Sequence, residues 1–288
     1  ATLEEVRSFY SDEIKAVANV RTPALVDAFA KVPREHFLGP GPWKVWHSGI
    51  TATGGSYHDT EDDDPKRLYH NILLAIDAER GLNNGQPSAL AVWIDALDLK
   101  SGETVAHLGC GVGYYTAIMA ETVGPAGLVS GIEVDPGLSS IAKSRVRYLS
   151  NVQVITASAA DYDTGAVDAI LVNAGVTHLR TDWLDSLRPG GRLVVPLTFS
   201  PDPNGVGSGF MLRVERIDGH FAARFIGPVA IYPCLGLRTD TMNQQVRDLL
   251  MRGGYSRVQS LRRQAHERED SCQFHSDEFC LSANPVEA

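Results

Sequence analysis

The sequence predicts an α/β protein: a doubly wound, mostly parallel seven-stranded sheet, Rossmann-like, that closes in a C-terminal antiparallel hairpin. Three observations carry this. Apolar strand-like runs alternate with helical patterns from Gln86 onward, and such alternation requires right-handed crossovers. The run Val105–Leu108 ends in three closely spaced glycines, Gly109, Gly111 and Gly113, a strand-to-helix turn whose backbone can approach a ligand. Late in the chain, Asp218-Gly219 separates two strand patterns, which is a hairpin signal.

The elements follow in order. Leu3, Val6, Phe9, Tyr10, Ile14 and Val17 fall on one helical stripe over residues 3–18. Thr22-Pro23 reads as an N-cap followed by a first-turn proline, and the helix it opens runs to Pro33. Residues 39–65 read as loop, with the acidic run Glu61–Asp64 solvated; a lid or substrate-facing loop is the alternative. The regular part then reads QPSALAVWIDALDL (helix), ETVAHLG (strand), YYTAIMAETVG (helix), LVSGIEVD (strand), GLSSIAKSRVRYL (helix) and VQVITAS (strand). VDAILVNAG is nearly all apolar, as a parallel strand buried on both faces should be. TDWLDSLRPGG (helix), RLVVPLT (strand) and the hairpin GFMLRVERIDGHFAARFIGPVAIYP complete the core. A helix, TMNQQVRDLLMRGG, and one or two short strands make the tail. Three segments result: a helical and loop region over 1–80 on the substrate side, a core over 81–235, and an extension over 236–288.

Composition excludes some functions. A formal net charge of −9 without a Lys/Arg-rich run argues against nucleic acid as a partner. No apolar run nears the roughly 18 residues of a membrane helix, and the acidic, helix-patterned N-terminus does not read as a signal peptide. Four cysteines without a CxxC motif suit a reducing cytoplasm and give no reason to expect zinc. Cys272 and Cys280, with His266 and His275 nearby, could ligate a metal; ordinary tail residues are the simpler reading, and whether the two cysteines pair stays open.

The glycine turn reads G-x-G-x-G, and Tyr114 stands where a dinucleotide fingerprint has its third glycine. Glu133 ends the second strand of the core, twenty residues after Gly113. A carboxylate there can accept both ribose hydroxyl hydrogens, whether of NAD or of S-adenosyl-L-methionine. The closing hairpin favours an adenosylmethionine-dependent methyltransferase; a turn required only for packing is the remaining reading.

At these residues the chain resembles a known family. KVPREHFLGP (31–40), QPSALAVWIDAL (86–97), VAHLGCGVGYYTA, GIEVD, VDAILVNAG, LRPGGRLVVPL and VAIYP are similar to segments of protein-L-isoaspartate O-methyltransferases, over roughly residues 20–235. The resemblance implies methyl transfer from S-adenosyl-L-methionine to a carboxylate of an altered aspartyl residue in a peptide or protein, the ester then collapsing to a succinimide. In that reading Gly109, Gly111 and Gly113 let the backbone approach the cofactor, and Glu133 holds its ribose. Val134 packs on adenine, Ser158, Ala159 or Asp161 borders the adenine edge, and Asn173 faces the crevice. His107 and Tyr114 are further cofactor candidates. Asn83, Gln86 and Ser88 are the candidates for holding the substrate carboxylate with neutral donors.

Departures bear on the substrate. Gly85, in Asn83-Asn84-Gly85-Gln86-Pro87, stands where the family has a hydroxyl residue. His107 replaces an acid before the first glycine, and Ala157-Ser158-Ala159 replaces Gly-Asp-Gly. A dedicated peptide natural product or small molecule is therefore the alternative substrate, and a non-catalytic binding protein the alternative class. A carboxylate nucleophile is already ionised at neutral pH and needs no general base. Catalysis then rests on proximity, alignment and desolvation, and neither a metal nor a catalytic triad is expected.

Overall fold

The structure is a computed structural model that describes residues 1–48, 55–202 and 204–286. Helix α1 (Leu3–Ala18) opens on a capping box, with Thr2 and Glu5 each bonding the other's main-chain N–H. It buries Tyr10 and Ile14, whereas Phe9 and Val17 are 72% and 60% exposed, so the apolar stripe is narrower than its periodicity suggests. Helix α2 (Pro23–Lys31) starts at Thr22-Pro23, but the Thr22 side chain caps nothing. Asp95 instead accepts the N–H groups of Arg21 (3.2 Å) and Thr22 (3.0 Å).

The segment read as loop carries structure of its own. Strands β1 (Lys44–His47) and β2 (Ser56–Asp59) pair antiparallel, with Trp46 against Tyr57 edge to face. The acidic run is tied down: Asp62 accepts from Arg67 at 3.1 and 2.8 Å, and this contact holds its carboxyl down at about 2. Asp64 caps the short turn Pro65–Leu68. Strands β3 (Ala75–Asp77) and β4 (Leu82–Asn83) form a second small pair.

From there the elements are α3 (Pro87–Ala96), β5 (Thr104–Leu108), α4 (Tyr114–Val123), β6 (Leu128–Glu133), α5 (Pro136–Arg145), β7 (Val152–Thr156), β8 (Val167–Val172), α6 (Thr181–Ser186) and β9 (Leu187–Phe199). β10 (Gly207–Ile217), β11 (His220–Ile231), α7 (Asp240–Met251), β12 (Ser260–Arg262), β13 (Cys272–His275) and β14 (Cys280–Ser282) follow. The large sheet has ten strands in the order β13-β14-β12-β11-β10-β9-β8-β5-β6-β7. β8 runs parallel to β5 and β9, while β10 runs antiparallel to β9 and β11. The hairpin turn holds Asp218 at φ 48° and Gly219 at φ 84°, the positive pair a two-residue turn wants. The doubly wound sheet and its closing hairpin are as the sequence indicates. The sheet exceeds seven strands because the tail adds β12, β14 and β13 antiparallel beyond β11. Leu187–Gly191, read as the end of a helix, already belong to β9.

By contacts the chain divides into two units. One comprises Ala1–Gly102, Cys110–Gly131 and Asp135–Ile155; the other comprises Glu103–Gly109, Ile132–Val134 and Thr156–Ala288. The second has a core of Ile170, Val172, Leu193, Val195, Leu212 and Trp183. The first is organised by Arg34, fully buried, which donates to the carbonyls of Leu68 (2.5 Å), His70 (2.8 Å) and Ile72 (2.8 Å). Its guanidinium lies over the Tyr10 ring. The Arg34 N–H donates to Tyr69 Oη at 2.9 Å, and Tyr69 in turn donates to Glu35, which also takes Arg7. Among the described residues no helix is long and apolar enough to cross a membrane.

A fork of fixed donors suits three carbonyls as a single ammonium does not. Arg34→Ala should cost about 3–5 kcal/mol, as removal of one partner from a buried charged network does, and Arg34→Lys more than about 2 kcal/mol. Urea unfolding checks both; losses within about 0.5 kcal/mol of the parent would contradict this role.

Candidate functional site

In the second unit, parallel strands end together. Val105, Leu108, Leu171 and Val172 are completely buried. At the carboxyl ends Gly109 N–H donates to Ile132 O (2.8 Å), Asn173 N–H to Leu108 O (2.7 Å) and Ala157 N–H to Glu133 O (3.1 Å). These bonds gather Gly109, Glu133, Val134, Ala157 and Asn173 into one crest, where open α/β sheets bind ligands. Gly109 has φ 84°, and a Cβ there would lie 3.2 Å from Asn173 O, so a side chain at this turn would be both strained and crowded.

The crest is chemically divided. Glu133 is 8% exposed and Val134, next to it, 45%. A carboxylate beside an open apolar side chain suits a diol attached to a flat ring. The Glu133 charge also reaches Cys234, whose thiol is pushed up to about 11, mainly by burial and further by Glu133. Ser158 Oγ accepts from Ala160 N–H at 3.1 Å, while Arg180 donates to Ala159 O (3.2 Å) and Tyr162 O (2.9 Å). The edge at 158–162 is thus a braced turn, and Asp161 on it is exposed.

Two expected cofactor residues sit elsewhere. His107 and Tyr114 have no exposed surface. Burial pushes the His107 imidazole down to about 3. Tyr114 lies against Phe37 and Tyr115, its hydroxyl 3.4 Å from that of Tyr10. Both side chains fill core, so whatever either offers a ligand reduces to main chain.

In the first unit the other glycines of the turn differ in role. A Cβ on Gly113 would meet Ala142 of α5 at 3.4 Å and Val146, just beyond that helix, at 3.2 Å, whereas one on Gly111 would meet only Ile76, at 3.9 Å. Gly113 therefore serves packing, and Gly111 is the one with open space. The candidate substrate loop belongs to the same unit. Asn83 Oδ1 accepts Gly85 N–H (2.9 Å), Tyr115 Oη donates to Gly85 O (3.2 Å), and Asn71 Oδ1 caps Ser88 N–H (3.0 Å). Gly85 has φ 76°, and a Cβ would fall 2.8 Å from Leu90 Cδ2. A side chain here must push the Leu90 methyl aside and hold a left-handed backbone that favours glycine. Gln86 is exposed, and Asn84 Nδ2 is buried without an acceptor among the described residues.

Sequence reasoning passed over some residues near the crest. After β11, Gly175 N–H donates to Tyr232 O (2.7 Å) and Cys234 N–H to Gly175 O (2.8 Å). Arg238 then bonds Thr198 Oγ1 (2.8 Å) and Asn243 Oδ1 (3.2 Å). CLGLR has no periodicity, so its only signal was its place directly after the late strand VAIYP. Among the described residues no metal-ligand cluster lies at the crest; such a group occurs in the C-terminal hairpin.

With this geometry in view, similarity to known proteins is informative. The family profile described as protein-L-isoaspartate(D-aspartate) O-methyltransferase matches residues 59–206. A protein-L-isoaspartate O-methyltransferase of Methanothrix thermoacetophila is 30% identical over 219 residues, covering 74% of this chain and 93% of that one. One from Methanocella arvoryzae is 33% identical over 212 residues, covering 72% and 95%. A solved protein-L-isoaspartate O-methyltransferase superposes with a TM-score of 0.63 at 20% identity, covering 96% of this chain and 88% of that one. A Plasmodium falciparum chain assigned to the same methyltransferases, in complex with S-adenosyl-L-homocysteine, gives 0.58 at 16% identity, covering 79% and 97%.

The His107 burial has a pH consequence. Its folded value lies below the ordinary 6.5, so the unfolded chain takes the proton first. Stability is therefore full above pH 6.5 and falls by about 1.4 kcal/mol per pH unit on acidification toward pH 3. His107→Phe should flatten urea midpoints over that window relative to the parent; equal slopes would contradict burial of a neutral imidazole.

Proposed function

Because the chain belongs to the protein-L-isoaspartate(D-aspartate) O-methyltransferase family, we propose that it methylates the carboxylate of an isoaspartyl or aspartyl residue in a peptide or protein. It is an S-adenosyl-L-methionine-dependent methyltransferase. The observation that carries the reading is the crest: Glu133 buried beside an exposed Val134, at the carboxyl ends of parallel strands. Glu133 takes the ribose hydroxyls of the cofactor, Val134 its adenine, and the Ser158–Ala159 turn and Asn173 border it. Gly111 leaves room for close main-chain approach.

The reaction asks little acid–base chemistry of the protein. A carboxylate oxygen displaces the neutral thioether from the sulfonium in line, so opposite charges cancel along the path. The nucleophile is already ionised at neutral pH. Alignment alone can supply about 7–11 kcal/mol, and exclusion of water strengthens the attraction of the two charges. Donors from Asn83–Ser88 hold the carboxylate, and the candidates there are the Asn84 and Gln86 amides and the Ser88 hydroxyl. Asn83 Oδ1 serves the loop itself through Gly85 N–H.

A second reading keeps the chemistry and changes the substrate to a dedicated peptide or a small molecule. The observation favouring it is Gly85, whose left-handed backbone and close Leu90 methyl disfavour the family's hydroxyl side chain.

Methyl-labelled adenosylmethionine, offered with matched isoaspartyl and aspartyl peptides, separates the two. Base-labile label on the isoaspartyl peptide alone is the expected outcome. Label on neither peptide, with cofactor still bound, would overturn the first reading in favour of the second. Glu133→Ala removes two charge-assisted hydrogen bonds of about 1.5–3 kcal/mol each. It should weaken adenosylmethionine binding by about 10²–10⁴-fold in calorimetry; unchanged affinity would contradict the cofactor assignment.

A further inference from the structure

We infer that His266, Cys272, His275 and Cys280 form a structural Zn²⁺ site that clamps the C-terminal hairpin. One ligand atom from each of the four lies within 4.8 Å of every other. Zinc held by sulfur at about 2.3 Å and nitrogen at about 2.0–2.1 Å needs ligand edges of roughly 3.3–3.8 Å. Side-chain adjustments of about one ångström close that gap.

The local backbone places these residues deliberately. Cys272 and His275 are three apart in β13, and a regular strand would send them to opposite faces. An irregularity in the β13–β14 pairing between Cys272 and Phe274 adds the extra residue that turns them to the same side. His275 pairs directly with Cys280 across the hairpin. His266 approaches from the preceding loop, its Nε2 3.3 Å from Cys272 Sγ.

The surroundings prepare the ligands. His266 Nδ1 lies 2.8 Å from Gln264 O. A carbonyl only accepts, so Nδ1 carries the proton and Nε2 presents its lone pair, as in a metal-ligating histidine. Cys272 Sγ accepts Glu269 N–H at 3.5 Å and lies 4.0 Å from Arg262 Nη2. Donors of this kind favour a thiolate. His275 Nδ1 is buried and has no hydrogen-bond partner among the described residues, which is costly for a polar atom and is explained by a missing ligand. All four cysteines of the chain are free thiols.

Two imidazoles and two thiols select zinc among common divalent ions. Both thiols lose a proton on binding, and the two thiolates neutralise the ion. Four protein ligands leave no position for water or substrate, so the site holds structure and performs no chemistry. What it would hold is β13 against α7, where His275 N–H bonds Gln245 Oε1 at 3.3 Å.

The test is metal analysis of the full chain, purified under reducing conditions, reconstituted with Zn²⁺ and dialysed. The expected result is one zinc per chain in the parent and a more than tenfold lower content in Cys272→Ser/Cys280→Ser. Because that variant can lose metal by failing to fold, apo-protein is also titrated with Co²⁺. The parent should then show the intense absorption of a tetrahedral ion bound by thiolate. Any of three results would overturn the site: no zinc and no thiolate–cobalt spectrum in the parent, zinc retained by the double variant, or an intact mass two hydrogens light with Cys272 linked to Cys280.

Discussion

The parallel pairing of β5 with β8 is the constraint on which the crest depends. Leu108 and Val172 lie opposite each other as the last residues of these strands, fully buried. Main-chain groups beyond that layer must still find partners, and they do so in one cluster: Asn173 N–H on Leu108 O, Gly109 N–H on Ile132 O. Closing the cluster brings Gly109 so near Asn173 O, in a left-handed backbone, that a side chain there would be crowded and strained. The glycine, the placement of Glu133 and the opening at Val134 are thus one solution to one packing problem. The crest offered as the ligand site is built from geometry that the sheet requires anyway.

The first unit is organised on a different principle. Arg34 is a charge with no exposed surface, held by three carbonyls of the 68–72 segment and the Tyr10 ring, while its Nε has no hydrogen-bond partner among the described residues. Those carbonyls belong to the stretch that carries Asn71, and Asn71 caps the Ser88 N–H at the start of α3. A buried guanidinium is thereby linked, through main chain, to the loop offered as the substrate side. Arg34 and Glu35, within one of the segments that carried the family likeness, both take part in this network.

How much was legible follows from where the information lies. The glycine turn, the buried strand VDAILV and the Asp218-Gly219 hairpin are local demands on backbone and polarity, so residue pattern reveals them. β1 and β2 were missed because KVWH and SYHD are short and lack alternation; cross-strand pairing defines them. Tyr114 lies at the right position in the chain, but its side chain packs on Tyr10 and Phe37, far away in sequence; His107 is enclosed within its own unit. Asn71 as the cap of Ser88 is equally non-local. In the tail, Cys272 and His275 share a side only through an irregular strand pairing, which no spacing rule would suggest.

The central claim is that the crest at Glu133 and Val134 receives the nucleoside of the cofactor. A crystal structure of the protein grown with S-adenosyl-L-homocysteine tests it most directly. The account predicts both ribose hydroxyls within hydrogen-bond distance of the Glu133 carboxylate and the adenine against Val134. Density for the nucleoside elsewhere, with Glu133 bonded only to protein, would contradict it.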